Sequence, residues 1–375
     1  MSRSALARVR RRPILKAMQD ETVISLRAAL RESAGFSALA AEKIIPLADT
    51  GLAHAHFRLG DGGLLARLPK QSQMKLSAAD NLHYQQACFA RAAPAGHSPA
   101  LHGVLSPSLH LPRGGLIVDY IEGRPPCLPG DMPALAAALA AIHALPVPLR
   151  TARPPLLDPA DPACAILAEV EEQAVHLSRA GLAPAALEQV EATFAMVRGV
   201  LRRHEGAPSC LVAFDAHPGN FLLRADDGRA MLVDLEKARY GAPPLDLAHA
   251  SLYTSTSWDM YVRGDLDDGG VVDFYRRWQE RVPPDLAAAW RPLLLPLRAL
   301  MWLWSVTWCA KWRVLSGRSR RSGGDGEDWS RDNSEAALIA HVRERVDHYL
   351  CPAVMERCRD WVAGRPLARW AETAA

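Results

Sequence analysis

Two apolar runs, Leu211-Val212-Ala213-Phe214 and Ala230-Met231-Leu232-Val233, each lead directly into side chains that handle protons or metal ions. The first enters Asp215-Ala216-His217-Pro218-Gly219-Asn220, and the second enters Asp234-Leu235-Glu236. Short apolar runs bounded by turn formers read as buried strands. Pro218-Gly219 imposes a tight reversal, because proline presets one turn dihedral and glycine tolerates the other. Asn220 is thereby returned near Asp215. Asp234 ends the second strand, after the hairpin turn Ala225-Asp226-Asp227-Gly228. Any fold for this chain must place two acids and an amide at the ends of these strands.

Phosphoryl transfer uses such a set. One carboxylate takes or orients the proton of an attacking hydroxyl, while an amide oxygen and a second carboxylate hold Mg²⁺ against nucleotide phosphates. The bland alternative is a Pro-Gly turn with solvated polar residues. The pattern resembles the D-x-x-x-x-N loop and metal-binding Asp of the protein-kinase-like fold. Its His-Pro-Gly-Asn version resembles the aminoglycoside phosphotransferase and choline kinase superfamily.

That resemblance implies an α+β, bilobal fold with a small β-rich N-lobe and a larger, mainly helical C-lobe. It also implies an ATP- and Mg²⁺-dependent transfer of the γ-phosphoryl group to a small-molecule hydroxyl. Asp215 takes the role of catalytic base, and Asn220 and Asp234 that of metal ligands. Glu236 is a candidate metal or orienting residue, with a surface position beside Lys237 as the alternative. Asp246, in Pro243-Pro244-Leu245-Asp246-Leu247-Ala248, takes the role of bracing the catalytic loop; capping the following helix is its physical alternative.

Ahead of the motif, three strand-like runs (43–47, 54–59 and 63–68), a helix around 78–93 and two further strand-like runs (100–105 and 115–121) follow one another. Their order resembles a kinase-like N-lobe. Arg67 on the third run then offsets phosphate charge, Thr50-Gly51 belongs to a loop covering the phosphates, and main-chain groups of Asp119 and Ile121 meet the adenine. The expected division is a basic N-terminal arm over 1–21, an N-lobe over 22–121 and a C-lobe over 122–375, with a flexible loop at 316–333. An opening helix is expected over 22–40.

Two departures from the superfamily pattern stand out. Ala213-Phe214-Asp215 occupies the place of His-Gly-Asp, so the apolar pair is expected to brace the loop by packing alone. No Glu occurs between Lys70 and Ile121; Gln86 falls near the position of the usual partner of the strand cation, and Asp80 reads as a helix N-cap. A nucleotide-binding pseudokinase acting as regulator or scaffold is therefore the alternative function, and a metal-dependent hydrolase the third.

The 44 Lys and Arg against 41 Asp and Glu leave a formal charge of +3, which argues against nucleic acid as the partner. Seven cysteines without C-x-x-C spacing read as reduced thiols in a cytoplasmic protein. The apolar stretch 292–310 carries Arg298 near its middle, and a central Arg costs about 3 kcal/mol on insertion. A buried core helix is the expectation, with no membrane and no obligate protein partner. The resemblance implies an acceptor pocket built after the metal-binding acid, where Trp258 and Asp259 stand. An aromatic face beside a carboxylate suits a cationic acceptor, an amino alcohol or aminated sugar. The Trp304, Trp308 and Trp312 stripe reads as core.

Overall fold

The structure, a computed structural model, describes residues 20–204, 206–318, 325–330, 333–362 and 365–373. The basic arm lies outside the described residues except for its last two positions. The described chain forms two compact units. The first draws on residues up to 86, 100–120 and 318–339, and the second on 87–99, 121–317 and 340 onward.

The first unit opens with helix α1 over 20–32, which buries Leu26 and Leu30 on one face. The expected helix to residue 40 is interrupted at Ser33-Ala34-Gly35 and resumes as a 3₁₀ turn, Ser37–Ala41. Glycine costs about 1 kcal/mol in a helix interior, which favours the break. Strands β1 (Ile44–Pro46), β2 (His54–Leu59), β3 (Leu64–Pro69), β4 (Leu101–Leu105) and β5 (Gly115–Asp119) form a sheet in the order β1-β2-β3-β5-β4. All its pairings are antiparallel. Phe57, Leu59, Ala66, Leu68 and Ile117 pack with Leu26 and Leu30 as the core.

Helix α2, Ala78–Ala92, begins under a different cap from the one expected. Ser77 Oγ accepts from the Asp80 N–H at 3.1 Å, and Asp80 sits in the first turn, its carboxylate accepting from the Ser77 hydroxyl at 2.6 Å. The serine reaches the orphan amide because its hydroxyl lies one bond from Cβ.

The segment expected as a flexible loop at 316–333 is tied down in its described part. Ser72 N donates to Gly326 O at 3.0 Å, Gly326 N to Leu76 O at 2.9 Å, and Asp328 N to Gln71 Oε1 at 2.9 Å. Asp325 Oδ1 accepts from Ala78 N at 2.8 Å. Polar composition suggested solvation, yet these groups find backbone and side-chain partners within the first unit. Residues 319–324 and 331–332 lie outside the described residues.

The second unit is mainly helical around two small antiparallel sheets. Strands β7 (Cys210–Val212) and β10 (Arg239–Gly241) form one, and β6 (Gly123–Arg124), β8 (Phe221–Arg224) and β9 (Ala230–Leu232) the other. Helices α3 (Met132–His143), α4 (Pro162–Ala174) and α5 (Pro184–Leu201) lie between β6 and β7. Helices α6 (Pro243–Ser251), α7 (Tyr253–Thr256), α8 (Asp268–Gln279), α9 (Pro284–Trp290), α10 (Leu294–Leu315), α11 (Ala336–Tyr349), α12 (Pro352–Val362) and α13 (Arg365–Thr373) follow them. The apolar stretch around 292–310 supplies most of α10, which packs against α4, α5 and α6. It is long and apolar enough to cross a membrane, and 78% of its most apolar window is buried within the protein. Arg298 is buried too, donating to Ser251 Oγ at 2.7 Å and Ser251 O at 3.3 Å. A cation at the C-terminus of α6 complements the helix dipole.

Candidate active site

The motif loop leaves β7 at Val212, two residues earlier than the apolar run suggests. Phe214 adopts φ 57°, a left-handed conformation that ends the strand. The peptide is held there by a carboxylate. Asp246 accepts from Ala213 N at 2.7 Å through Oδ2 and from Phe214 N at 2.8 Å through Oδ1. The expectation that packing alone braces this loop is therefore corrected: without the motif histidine, two backbone amides still find a buried acid. Asp246 lies in the first turn of α6. Packing adds to the brace, since the Phe214 ring meets Trp304 edge-on at 5.8 Å and Arg239 stacks 4.0 Å from its centroid.

Pro218–Asn220 forms a 3₁₀ turn. It brings Asn220 Nδ2 to the Asp215 carbonyl at 2.7 Å, which leaves Oδ1 as the amide's acceptor. Strand register does the rest. Phe221 pairs with Leu232, and Val233 N donates to Asn220 O at 2.9 Å. Asp234 is the next residue along the chain, so the pairing joins Asn220 to the residue that precedes Asp234. Asp234 Oδ1 accepts from Glu236 N at 3.3 Å, and Glu236 is buried. The carboxylates of Asp234 and Glu236 offer oxygens within 4.8 Å of each other, a pair of hard donors that fits Mg²⁺, and the Asn220 amide oxygen is of the same donor type.

Lys237 was not singled out by sequence reasoning, yet its ammonium sits 2.6 Å from Asp215 Oδ2. Both side chains are largely buried. Burial pushes the Asp215 carboxyl upward, but Lys237, His217 and His249 together outweigh it and hold it below the usual carboxylate range. Burial lowers the Lys237 ammonium, while Asp215 and Glu236 raise it further, so it is held above its usual value. His249 Nδ1 lies 3.8 Å from Asp215 Oδ1, and burial pushes this imidazole down to about 4. Lysine beside glutamate reads as surface in a sequence. The available signal was its setting between Leu235 and Ala238, both fully buried.

Asp259 lies beside the motif turn, whereas the Trp258 ring packs on α10 and α11. A Cβ on Gly219 would fall 2.6 Å from Asp259 Oδ2, so glycine lets the turn meet this acid. Asp259 Oδ1 accepts from Tyr261 N and Val262 N at 2.7 and 2.9 Å. The Trp258 ring lies between Trp308 (5.2 Å, edge-on) and Tyr349 (6.2 Å, stacked), and its carbonyl accepts from His341 at 2.7 Å. Trp304 and Trp312 are buried, consistent with a core stripe.

The first unit carries the other expected residues. Arg67 is buried, its Nη2 3.0 Å from His54 Nδ1 and its Nη1 3.5 Å from His56 Nε2. His54 Nε2 meets Gln85 Oε1 at 3.0 Å. The helix residue linked to this cation is thus Gln85, through a histidine, whereas Gln86 is exposed. Helical spacing puts Gln85 on the buried face with Asn81, Leu82 and Phe89. An imidazole nitrogen that accepts from the guanidinium carries no hydrogen of its own. Thr50 is exposed, and a Cβ on Gly51 would meet nothing within 4 Å. The Asp119 side chain accepts from Ala100 N at 2.8 Å and meets His102 at 2.7 Å. Ile121 begins the main stretch of the second unit.

With this geometry in place, comparison with known proteins decides the family. The profile of the phosphotransferase enzyme family APH matches residues 46–283. The chain belongs to this family. It is a small-molecule kinase of the aminoglycoside phosphotransferase and choline kinase type. None of the curated proteins matches it. Among solved structures, a choline/ethanolamine kinase family protein from Mesorhizobium loti shares 18% identity at a TM-score of 0.59, covering 93% of this chain and 99% of its own. An ethanolamine kinase from Plasmodium vivax shares 12% identity at a TM-score of 0.55, covering 85% of each chain. An aminoglycoside phosphotransferase in ternary complex with ADP and hygromycin B shares 15% identity at a TM-score of 0.50, covering 86% of this chain and 94% of its own. These likenesses confirm the α+β architecture, with a small antiparallel sheet and a larger helical part.

Proposed function

We propose that this kinase moves the γ-phosphoryl group of ATP to the hydroxyl of a small molecule in the cytoplasm, with Mg²⁺ as cofactor. One observation supports the reading: a single turn binds Asn220 to the Asp215 carbonyl, while Val233, the residue before Asp234, donates its N–H to Asn220 O. Asp215 takes the acceptor's proton as the new oxygen–phosphorus bond forms and the bond to ADP breaks. A hydroxyl acidifies as it attacks, so a modest base suffices. Asn220 and Asp234 would hold Mg²⁺, with Glu236 as a further candidate ligand. When bound, the ion neutralises charge on the phosphate oxygens. In the first unit Arg67 supplies positive charge for the phosphates, and the Thr50-Gly51 backbone offers N–H groups. Asp246 braces the loop that carries the base.

An amino alcohol heads the acceptor classes. The solved relatives include choline- and ethanolamine-kinase proteins, and Asp259 offers negative charge beside the motif turn. The test is phosphate transfer from ATP and Mg²⁺ to a panel of amino alcohols, aminated sugars and neutral polyols. Transfer abolished in Asp215→Ala supports the proposal. A panel with no acceptor, and no rise in melting temperature with any nucleotide, overturns it. One observation favours a second reading, a nucleotide-binding regulator: Lys237 occupies one oxygen of the base. Nucleotide-induced stabilisation without transfer would decide for that reading.

A further inference from the structure

Lys237 and Asp215 form a short, buried contact at 2.6 Å that the residue roles assigned so far do not use. Buried ion pairs contribute little net stability, because desolvation offsets their attraction. A structural role therefore explains the pair poorly, and its geometry suggests another. Glu236 N donates to Asp234 Oδ1 at 3.3 Å, and Ala238 N to Leu235 O at 3.0 Å. Lys237 and Asp234 thus rise from one compact turn. The Trp304 ring lies 5.4 Å from the ammonium and is itself placed against Phe214 and His249, both at 5.8 Å. The lysine is fixed on the metal-site turn and grips one oxygen of the acid on the other loop.

We propose that Lys237 is a positioning residue for the base. It holds Asp215 Oδ2, so that Oδ1 is the oxygen presented to the acceptor, and it sets the distance from that oxygen to the turn bearing Asp234. This inference rests on the phosphotransfer reading. In the step, the acceptor O–H proton passes to Asp215 Oδ1. The acceptor oxygen bonds to the γ-phosphorus, and the bond from phosphorus to the ADP oxygen breaks with its electron pair leaving on ADP. Lys237 keeps its proton throughout and remains beside the reacting charge. The chain itself therefore supplies a cation next to the base, from the metal-site loop rather than from the motif turn.

Two measurements on the full chain test this. The first needs no ligand: ¹⁵N NMR of lysine ammonium groups. A hydrogen-bonded, buried Lys237 gives a slowly exchanging NH₃⁺ signal that is assigned by its loss in Lys237→Met. That signal should revert to fast exchange in Asp215→Asn. The second is steady-state kinetics with ATP and Mg²⁺, using water or an acceptor from the panel. Misplacing a reacting group by about 1 Å costs about 100-fold, so Lys237→Met should lower kcat by about that factor. The KM for ATP should stay within about 3-fold, since ground-state binding is not the interaction removed. Lys237→Arg, which keeps the charge, should recover about 10-fold of the loss.

The proposal is overturned if the wild-type Lys237 ammonium exchanges like a surface lysine. It is also overturned if Lys237→Met keeps wild-type kcat, or loses activity only in step with a fall in folded protein by thermal melting. Absence of any turnover in the wild type would instead sink the phosphotransfer reading, while the NMR result still decides whether the lysine holds the acid.

Discussion

His143 and Asp246 meet at 3.1 Å with both side chains buried, and the proton between them belongs to the imidazole. Trp278 Nε1 donates to His143 Nδ1 at 2.9 Å, so that nitrogen is an acceptor and Nε2 carries the hydrogen. Asp246 in turn accepts from the amides of Ala213 and Phe214. A chain of oriented hydrogen bonds thus runs from α8 through α3 and α6 to the residue before the base.

Asp246→Asn should break this chain. An amide has one acceptor oxygen, so its NH₂ group would face either a backbone N–H or the imidazole N–H. Leaving buried donors unsatisfied costs about 1–3 kcal/mol each, and a loss of about 3 kcal/mol is expected in urea denaturation. Stability within about 0.5 kcal/mol of wild type would contradict the network, since surface substitutions fall in that range.

Phe214→Gly sets two effects against each other. Glycine would relieve the left-handed backbone, a gain of about 1–2 kcal/mol. It would also delete a fully buried ring packed on Trp304 and Arg239, and emptying a Phe site costs about 3–5 kcal/mol. The net expectation is destabilisation by about 2 kcal/mol, read by the same denaturation. A more stable variant would show that strain, and not packing, dominates at this position.

The sheet of the first unit was legible because its strands are short runs bounded by turn formers, with Gly60, Gly62 and Gly63 between β2 and β3. The motif turn was legible because Pro-Gly allows few paths between Asp215 and Asn220. Side-chain partners across elements were harder. Lys237 was passed over since a charge beside a charge reads as solvated, and only the fold buries the loop that carries it. Gln85 was missed by one residue, because a helix phase error of 100° moves the buried face by one position. The Arg67–His56 neighbourhood was not read from the sequence: the two residues pair across β2 and β3, and His54 shares His56's face by strand alternation. In the brace on Ala213 and Phe214 only the acid, Asp246, was named from the sequence; its partners are backbone amides, which leave no trace in residue identity.

Gly219→Ala should disturb the turn without adding or removing a charged group. The added methyl would lie 2.6–2.7 Å from the Asp259 side chain. Asp259 cannot easily yield, because its Oδ1 holds Tyr261 N and Val262 N. Overpacking costs about 1–3 kcal/mol. The turn that carries Asn220 should shift, so transfer activity should fall more than stability does. Full activity with unchanged melting would mean that the turn and Asp259 separate freely.

His249 makes stability depend on pH in a window of its own. Its usual value is 6.5, and burial lowers it to about 4 in the folded chain. Between these values the unfolded chain binds a proton that the folded chain does not. Stability from this group is therefore complete above about pH 6.5, falls as the pH drops toward 4, and is flat below that. A shift of this size corresponds to about 3 kcal/mol. Asp215, held below the usual carboxylate range, adds its own loss only at still lower pH, so the two do not overlap much. His249→Phe, which keeps an aromatic ring against Trp304, should remove the slope between pH 6.5 and 4. Denaturation of both proteins at several pH values measures it, and parallel curves for wild type and variant would show that His249 titrates as freely in the folded chain as in the unfolded one.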